Sequence, residues 1–143
     1  MKSNLKIYTS FVSSKNLTDI INDNLLPIFI LRNIKKSELI GKYSDTAIHF
    51  KNLAPSDRLY QIRRDRKISR EEYEKRYIIE LSEQPNFQGI VRRLEQLTKL
   101  CNADGVVLLD YGVDDKESHR NILSNLLNNL DILNYKITEY ETT

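Results

Sequence analysis

Residues 106–127, with the sequence VVLLDYGVDDKESHRNILSNLL, decide the fold. An apolar run ends at Asp110, an acidic loop follows, and Ser118-His119-Arg120 opens a segment whose apolar residues have helical spacing. This order predicts a buried strand, a turn and a helix. Because the first turn of a helix leaves backbone N–H groups without partners and carries the positive end of the dipole, an anion is favoured there. The stretch therefore predicts a ligand site.

The composition is that of a globular chain. The 143 residues suit one domain, and hydrophobic residues make up 40% and charged residues 29%, with both signs mixed. The net charge of +2 is too small to indicate a nucleic acid or a membrane as partner. No run approaches the roughly 18 apolar residues of a membrane span. The first residues lead into a strand, not into a secretory apolar region, so we expect a cytoplasmic protein.

Cysteine and histidine are scarce. Cys101 is the only cysteine, which excludes an internal disulfide and a zinc site of the multi-cysteine kind. Because His49 and His119 are the only histidines, a metal would depend on carboxylates, and we expect no metal and no cofactor. Cys101 ends an apolar helix face and is expected to be a small buried hydrophobe.

Strand and helix patterns alternate along the chain. Apolar, β-branched and aromatic runs predict strands at 6–12, 25–31, 106–110 and 135–140, and a short strand or extended loop at 47–50. Caps and helical spacing predict helices at 16–24, 56–66, 70–83 and from 118, and one after Asn86 that buries Ile90, Leu94, Leu97 and Leu100. Residues 34–44 are ambiguous. The order predicts an α/β fold, a single compact Rossmann-like domain over residues 1–143 whose mostly parallel sheet has helices on both faces.

Several short motifs resemble a known family. They are Ile7-Tyr8-Thr9-Ser10, Pro27-Ile28, Arg32, Leu53-Ala54-Pro55, Ile68-Ser69, Glu71-Glu72-Tyr73, Tyr77 and Ser118-His119-Arg120. Over nearly the whole chain they resemble the bacterial family catalogued as domain of unknown function 488 (DUF488), which implies a compact α/β fold. Two motif cysteines of that family are replaced here by Asp110 and Ser118, and its Glu-Lys pair by Gly112 and Val113. The resemblance therefore favours binding over thiol catalysis.

Residues at strand ends and at the helix start make up the predicted ligand site. Open α/β sheets bind ligands at the carboxyl ends of their strands, and Arg32 directly follows a strand. Arg120 offers a fork of donors for phosphate or carboxylate, and His119 titrates near neutrality. The predicted ligand-binding residues are Tyr8, Ser10, Arg32, Tyr73, Tyr77, Tyr111, Ser118, His119 and Arg120.

A structural interpretation of the same residues stays open. Ser118 can cap the helix, and Arg120 can pair with a neighbouring acid at position 114, 115 or 117. At least one of Tyr73 and Tyr77 is expected in the core. If Arg120 binds the ligand, Arg120→Ala should remove anion binding and change thermal stability little.

Asp110 is the candidate catalytic carboxylate. It lies at the carboxyl end of a buried strand, where His119 can share a proton with it. The alternative, which we favour slightly, is that Asp110 pairs with a cation or caps a turn. If the protein is an enzyme, Asp110 and His119 are its predicted catalytic residues.

Three functions follow from these observations. The first is binding, for sequestration or sensing, of a small phosphate-bearing, nucleotide-like ligand around Ser118-His119-Arg120. The second is a nucleoside or nucleotide hydrolase or transferase. The third is nucleic-acid binding through a basic stretch, Arg58, Arg63, Arg64, Arg66, Lys67 and Arg70. GxGxxG, P-loop and GxSxG motifs are absent. A membrane partner is not expected, and a homo-oligomer stays open.

Overall fold

Five strands and five helices make up the described part of the chain. The computed structural model describes residues 2–32, 48–112 and 118–141. Its strands are β1 (Ile7–Phe11), β2 (Leu25–Phe29), β3 (Ile48–His49), β4 (Gly105–Asp110) and β5 (Thr138–Glu139). Its helices are α1 (Ser14–Asn22), α2 (Asp57–Arg64), α3 (Arg70–Ser82), α4 (Ile90–Cys101) and α5 (His119–Asn129). Single 3₁₀ turns cover Lys51–Leu53 and Phe87–Gly89.

The sheet is parallel throughout its described strands. The strand order is β3-β2-β4-β1-β5, and every described pair of neighbours is parallel. β4 lies at the centre, and all six of its residues are buried. Helices cover both faces, so the predicted Rossmann-like α/β fold is confirmed. At Gly105 an added Cβ would lie 2.6 Å from the Lys6 carbonyl oxygen, so β4 needs glycine where it approaches β1.

Alternation along the strands divides the core between the two faces. Val106 and Leu108 pack in the larger cluster, which holds the buried residues of α2, α3, α4 and α5. Val107 and Leu109 pack in the smaller cluster, which holds the buried residues of α1. Because successive side chains of a strand point to opposite faces, Asp110 lies on the same face of the sheet as Val106 and Leu108, the face that α5 covers.

Serine hydroxyls cap the N-termini of three helices. Ser13 accepts the Asn16 backbone N–H at 3.0 Å, so α1 begins two residues earlier than the sequence predicts. Ser56 and Ser69 cap α2 and α3 in the same way, at 3.2 Å and 3.1 Å. The predicted helices at 56–66 and 70–83 are therefore confirmed, with ends one or two residues shorter.

Three sequence expectations are wrong in detail. Leu100 is 82% exposed, because 100° per residue turns it away from the buried Leu94 and Thr98. Cys101 is exposed in the last turn of α4, next to Asn102, which ends the helix in the left-handed region (φ 53°). The last strand is two residues long instead of six. The ambiguous segment at 34–44 lies outside the described residues.

Candidate functional site

The topology places a switch point where β1 and β4 end. These strands are neighbours, with Phe11 opposite Asp110 in the register. The chain leaves β1 for α1 on one face of the sheet and leaves β4 for α5 on the other face. Such a switch point is where open α/β sheets bind their ligands.

Asp110 and Arg120 form a buried ion pair at this point. Each side chain is 1% exposed, and Asp110 Oδ1 lies 2.6 Å from Arg120 Nη1. Asp110 Oδ1 also accepts the Gly112 backbone N–H at 3.1 Å, and Oδ2 accepts the Arg120 backbone N–H at 3.1 Å. The carboxylate therefore caps α5, while the Ser118 side chain makes no capping bond. The interpretation of Asp110 as a partner of a cation and a cap is confirmed.

Arg120 has a second carboxylate partner, Glu139. Arg120 Nε donates to Glu139 Oε1 at 2.8 Å, and Nη1 also donates to the Gly112 carbonyl oxygen. The Thr9 hydroxyl donates to the same Glu139 oxygen at 2.7 Å. Burial disfavours the charge on Arg120, but the two carboxylates outweigh burial and raise its pKa.

The sequence analysis missed Thr9 and Glu139. The available signal was the alternation of β1, which turns Thr9 to the face of Ile7, and a parallel last strand that brings an acid beside it. Glu139 is in register with Thr9. The expected partners of Arg120 at 114, 115 and 117 lie outside the described residues.

His119 is held between two strands. Its Nε2 lies 2.5 Å from the Ile30 carbonyl oxygen, and its Nδ1 lies 3.7 Å from Asp110 Oδ2. Burial lowers the pKa of His119, against the opposing influence of Asp110, so the imidazole is neutral at pH 7. Because a carbonyl oxygen only accepts, Nε2 carries the proton and Nδ1 carries the lone pair.

Tyr73 and Tyr77 belong to the core beside His119. Their rings stack with centroids 6.5 Å apart, and the Tyr77 ring meets the His119 ring edge-on at 5.9 Å. The Tyr77 hydroxyl donates to the Leu53 carbonyl oxygen at 2.5 Å. Burial, and then the charges of Asp110 and Glu80, raise the pKa of Tyr73. The expectation that at least one tyrosine is a core residue is confirmed.

Tyr8, Ser10 and Tyr111 are separated from this cluster. Tyr8 and Tyr111 pack against the α1-bearing core. The Ser10 hydroxyl accepts a hydrogen bond from the side-chain amide of Asn16 in α1 at 3.1 Å. The expectation that Tyr8 and Ser10 join Arg120 at the strand ends is wrong, because successive residues of a strand point to opposite faces.

Arg32 lies beyond the carboxyl end of β2, on the other side of β4. Its Nε donates to the Pro55 carbonyl oxygen at 2.9 Å, and its Nη2 donates to the Ala54 carbonyl oxygen at 3.2 Å. Among the described residues these carbonyls are its partners, and no carboxylate neutralises it. These two hydrogen bonds orient the Arg32 guanidinium, and because carbonyl oxygens are uncharged they leave its positive charge unneutralised.

The charges of the site are unevenly distributed. Asp110 and Glu139 carry two negative charges against one positive charge on Arg120, which leaves a net charge of −1 where His119 is neutral. Arg32 supplies a positive charge at the end of β2. Within the described ranges, no group of three or more His, Cys, Asp or Glu residues could hold a metal ion.

The predicted basic stretch is divided by the turn between α2 and α3. Arg66 lies in that turn with a φ of 57°. Arg63 is half-buried, and its Nη1 donates to the Ile68 carbonyl oxygen at 3.0 Å. The exposed members are Arg58, Arg64, Arg66 and Lys67.

An open cavity of about 730 Å³ borders the edge strand β5. It is lined on one side by Tyr8 and Tyr140, whose rings meet edge-on at 6.2 Å. Glu139 also lines it, so this residue borders both the cavity and the ion-pair cluster. The Asp110–Arg120 pair itself is not part of the lining.

The fold and the site define a class of protein: a Rossmann-like α/β domain with a buried ion-pair cluster at its topological switch point. The chain belongs to the DUF488-N3a family, described as the active DUF488-N3 subclade, whose model matches residues 22–130. The resemblance seen in the sequence is confirmed. The match includes Arg32, Asp110, His119 and Arg120, and β1 and β5 lie outside it. No curated protein and no solved structure matches the chain. No helix of the described residues is long and apolar enough to cross a membrane.

Proposed function

We propose that the protein binds a small phosphate-bearing, nucleotide-like ligand across the carboxyl ends of β2, β4 and β1. Binding serves to sequester or sense the ligand in the cytoplasm. The observation that carries the proposal is Arg32, an oriented guanidinium without a carboxylate partner among the described residues, beyond the carboxyl end of β2 in the strand next to β4. Charge-assisted bonds from arginine to phosphate are among the stronger polar contacts in proteins.

This proposal gives Arg32 and Arg120 different roles. Arg120 is 1% exposed and is bound by two carboxylates, so it positions Asp110 and the start of α5. Arg32 is the phosphate contact, together with the backbone at the Ser118 turn. Because Asp110 and Glu139 repel an anion, the phosphate lies toward β2 and away from β5.

Mass spectrometry of the purified protein tests the proposal. Small molecules released by denaturation should include a nucleotide-like compound that carries phosphate and is chemically unchanged. Calorimetry with a panel of nucleotides should then reproduce binding by the ligand-free protein. The proposal fails if no phosphate-bearing compound is released and no nucleotide of the panel binds.

An enzyme is the second candidate, supported by the geometry of His119. With its proton held on Nε2 by the Ile30 carbonyl oxygen, a neutral His119 offers Nδ1 as a general base. The family to which the chain belongs is described as the active DUF488-N3 subclade, which agrees with this candidate. The Ile30 carbonyl oxygen would orient the histidine, and Asp110 would not be the nucleophile, because both of its oxygens already accept hydrogen bonds.

Product formation distinguishes the two candidates. An enzyme should convert a bound nucleotide or nucleoside by hydrolysis or group transfer, and His119→Gln should slow turnover by about 10² or more. His49→Gln is the matched control and should keep full turnover. A ligand that stays intact with the wild-type protein excludes the second candidate and supports binding.

A further inference from the structure

A second cavity, of about 360 Å³, lies beyond the end of β3. Residues 49–53, which include the 3₁₀ turn after β3, form one side of it, and residues 84–87, between α3 and α4, form another. Two residues of the first turns of α4, Ile90 and Arg93, complete the lining. Its volume falls in the range of small-molecule sites, about 300–1,000 Å³.

The walls of this cavity are tied to each other and to the core. The Gln84 side chain donates from Nε2 to the Asn52 carbonyl oxygen at 2.6 Å, which joins the two sides. The Leu53 carbonyl oxygen accepts the buried Tyr77 hydroxyl of α3 at 2.5 Å. Leu53, Phe87 and Ile90 are themselves buried in the larger core cluster. The cavity therefore has an apolar floor and fixed walls.

The lysine and the arginine of the cavity have no carboxylate beside them. Among the described residues that line it, none is aspartate or glutamate. In the described part of the chain, neither Lys51 nor Arg93 forms an ion pair. The Arg93 guanidinium lies over the Phe50 ring, 4.9 Å from its centroid, which orients the cation without neutralising it. The positions of α4 and its cap that lie one helical turn from Arg93 carry no acid; they are Gly89, Ile90, Gln96 and Leu97.

The chemistry of the lining restricts the ligand. Two unneutralised cations in one concave surface attract an anion and repel a cation. An inorganic anion would leave the apolar floor in water, and a neutral apolar molecule would make no use of Lys51 and Arg93. A molecule that joins an anionic head to an apolar body satisfies both parts of the lining.

We propose that this cavity is a binding site for a small organic anion with an apolar body. The anionic head lies between Lys51 and Arg93, and the body covers Phe87 and Ile90. The site is distinct from the one proposed above, because Arg32, which carries that function, is not part of the lining.

An NMR titration with phenyl phosphate and benzoate tests this inference. Each probe joins an anionic head to one apolar ring, whereas inorganic phosphate lacks the ring and benzyl alcohol lacks the charge. Wild type should bind both aromatic anions about tenfold or more tighter than either of these two controls. The backbone amide signals that shift should be those of Asn52, Gln84 and Phe87.

Charge-removing variants place the anionic head. Arg93→Gln should weaken binding of the aromatic anions about tenfold or more, the effect of one charge-assisted contact. Arg92→Gln is the matched control, because it removes the same charge from an exposed neighbour that does not line the cavity, and it should bind like wild type. Because Arg93 also packs on Phe50, Lys51→Gln is a second variant that leaves this contact intact, and it should weaken binding similarly.

The outcomes decide the inference separately from the proposed function. Binding of either aromatic anion at the cavity supports it, and the tighter probe names the head group as phosphate or carboxylate. Failure of wild type to bind either probe overturns it, as do signal shifts confined to the residues around Arg32. It is also overturned if folded Arg93→Gln and Lys51→Gln keep wild-type affinity, or if Arg92→Gln loses affinity equally.

Discussion

The carboxylate of Asp110 accepts hydrogen bonds from both the backbone and the side chain of Arg120. Oδ2 accepts its backbone N–H at 3.1 Å, and Oδ1 accepts its guanidinium at 2.6 Å. An acid at the end of β4 thus fills the position at the start of α5 where the sequence suggested an external anion. The backbone N–H and the guanidinium of Arg120 are therefore satisfied within the protein, whereas Arg32 has no carboxylate partner among the described residues.

Replacing Arg120 should destabilise the protein. Arg120→Met leaves Asp110 buried without its cation, and removing one partner of a buried pair costs about 3–5 kcal/mol. Arg76→Met is the control, because Arg76 pairs with Glu72 at the surface with both side chains nearly half exposed. That change should cost less than about 1 kcal/mol in urea denaturation. Equal losses for the two variants would contradict the account of the cluster, as would the stable Arg120 variant expected from the sequence.

A side chain at Gly112 should destabilise the protein. A Cβ at this position would lie 2.8 Å from the Ser118 Cβ and 3.7 Å from Arg120 Nη1. Gly112→Ala should therefore lower the free energy of unfolding by about 1–3 kcal/mol, the usual cost of overpacking. At Gly89 a Cβ would meet nothing within 4 Å, and Gly89→Ala should change stability by less than about 1 kcal/mol. A neutral Gly112→Ala would show that the turn after β4 is not closely packed.

His119 should make stability depend on pH. Because burial lowers its pKa below the ordinary 6.5, the unfolded chain binds the proton at a higher pH than the folded protein does. The free energy of unfolding should therefore fall as the pH falls from about 6.5 toward the folded-state pKa. His119→Gln should lose this fall, whereas His49→Gln should retain it. An imidazole of His119 that titrates above pH 6.5 by NMR would contradict the prediction.

The salt dependence of binding tests the nucleic-acid alternative. A protein that neutralises several phosphates of duplex DNA loses affinity with a log–log slope near 0.9 per phosphate. We expect no such binding, because the turn at Arg66 divides the basic stretch and Arg63 is held by Ile68. Tight DNA binding with a steep salt slope, lost when Arg58 and Arg64 are replaced, would revive that alternative.

The fold could be predicted from sequence because its signals are local. The apolar run of β4, the Ser69 cap and the break at Pro55 depend on neighbouring residues alone. Element order then fixes a parallel sheet with helices on both faces. The exposure of Leu100 and Cys101 was missed, because only the packed structure shows where the covered part of α4 ends.

The ion-pair cluster was predicted only in part. Its location at the end of β4 and the pairing of Asp110 with a cation follow from chain order and burial. The role of Glu139 does not, because it depends on β5 lying beside β1, a contact across 130 residues of sequence between Thr9 and Glu139. The same kind of long-range contact decides that Arg120 meets a carboxylate while Arg32 meets carbonyl oxygens among the described residues.

The measurement that tests the central claim most directly is the affinity of Arg32 variants for a nucleotide and for the nucleoside without its phosphate. Arg32→Gln should weaken nucleotide binding roughly tenfold to a hundredfold, the loss of about 1.5–3 kcal/mol for a charge-assisted contact, and leave nucleoside binding unchanged. Arg64→Gln removes the same charge from an exposed position of α2 and should bind like wild type. Nucleotide affinity that is unchanged in Arg32→Gln, or lost equally in Arg64→Gln, would contradict the account.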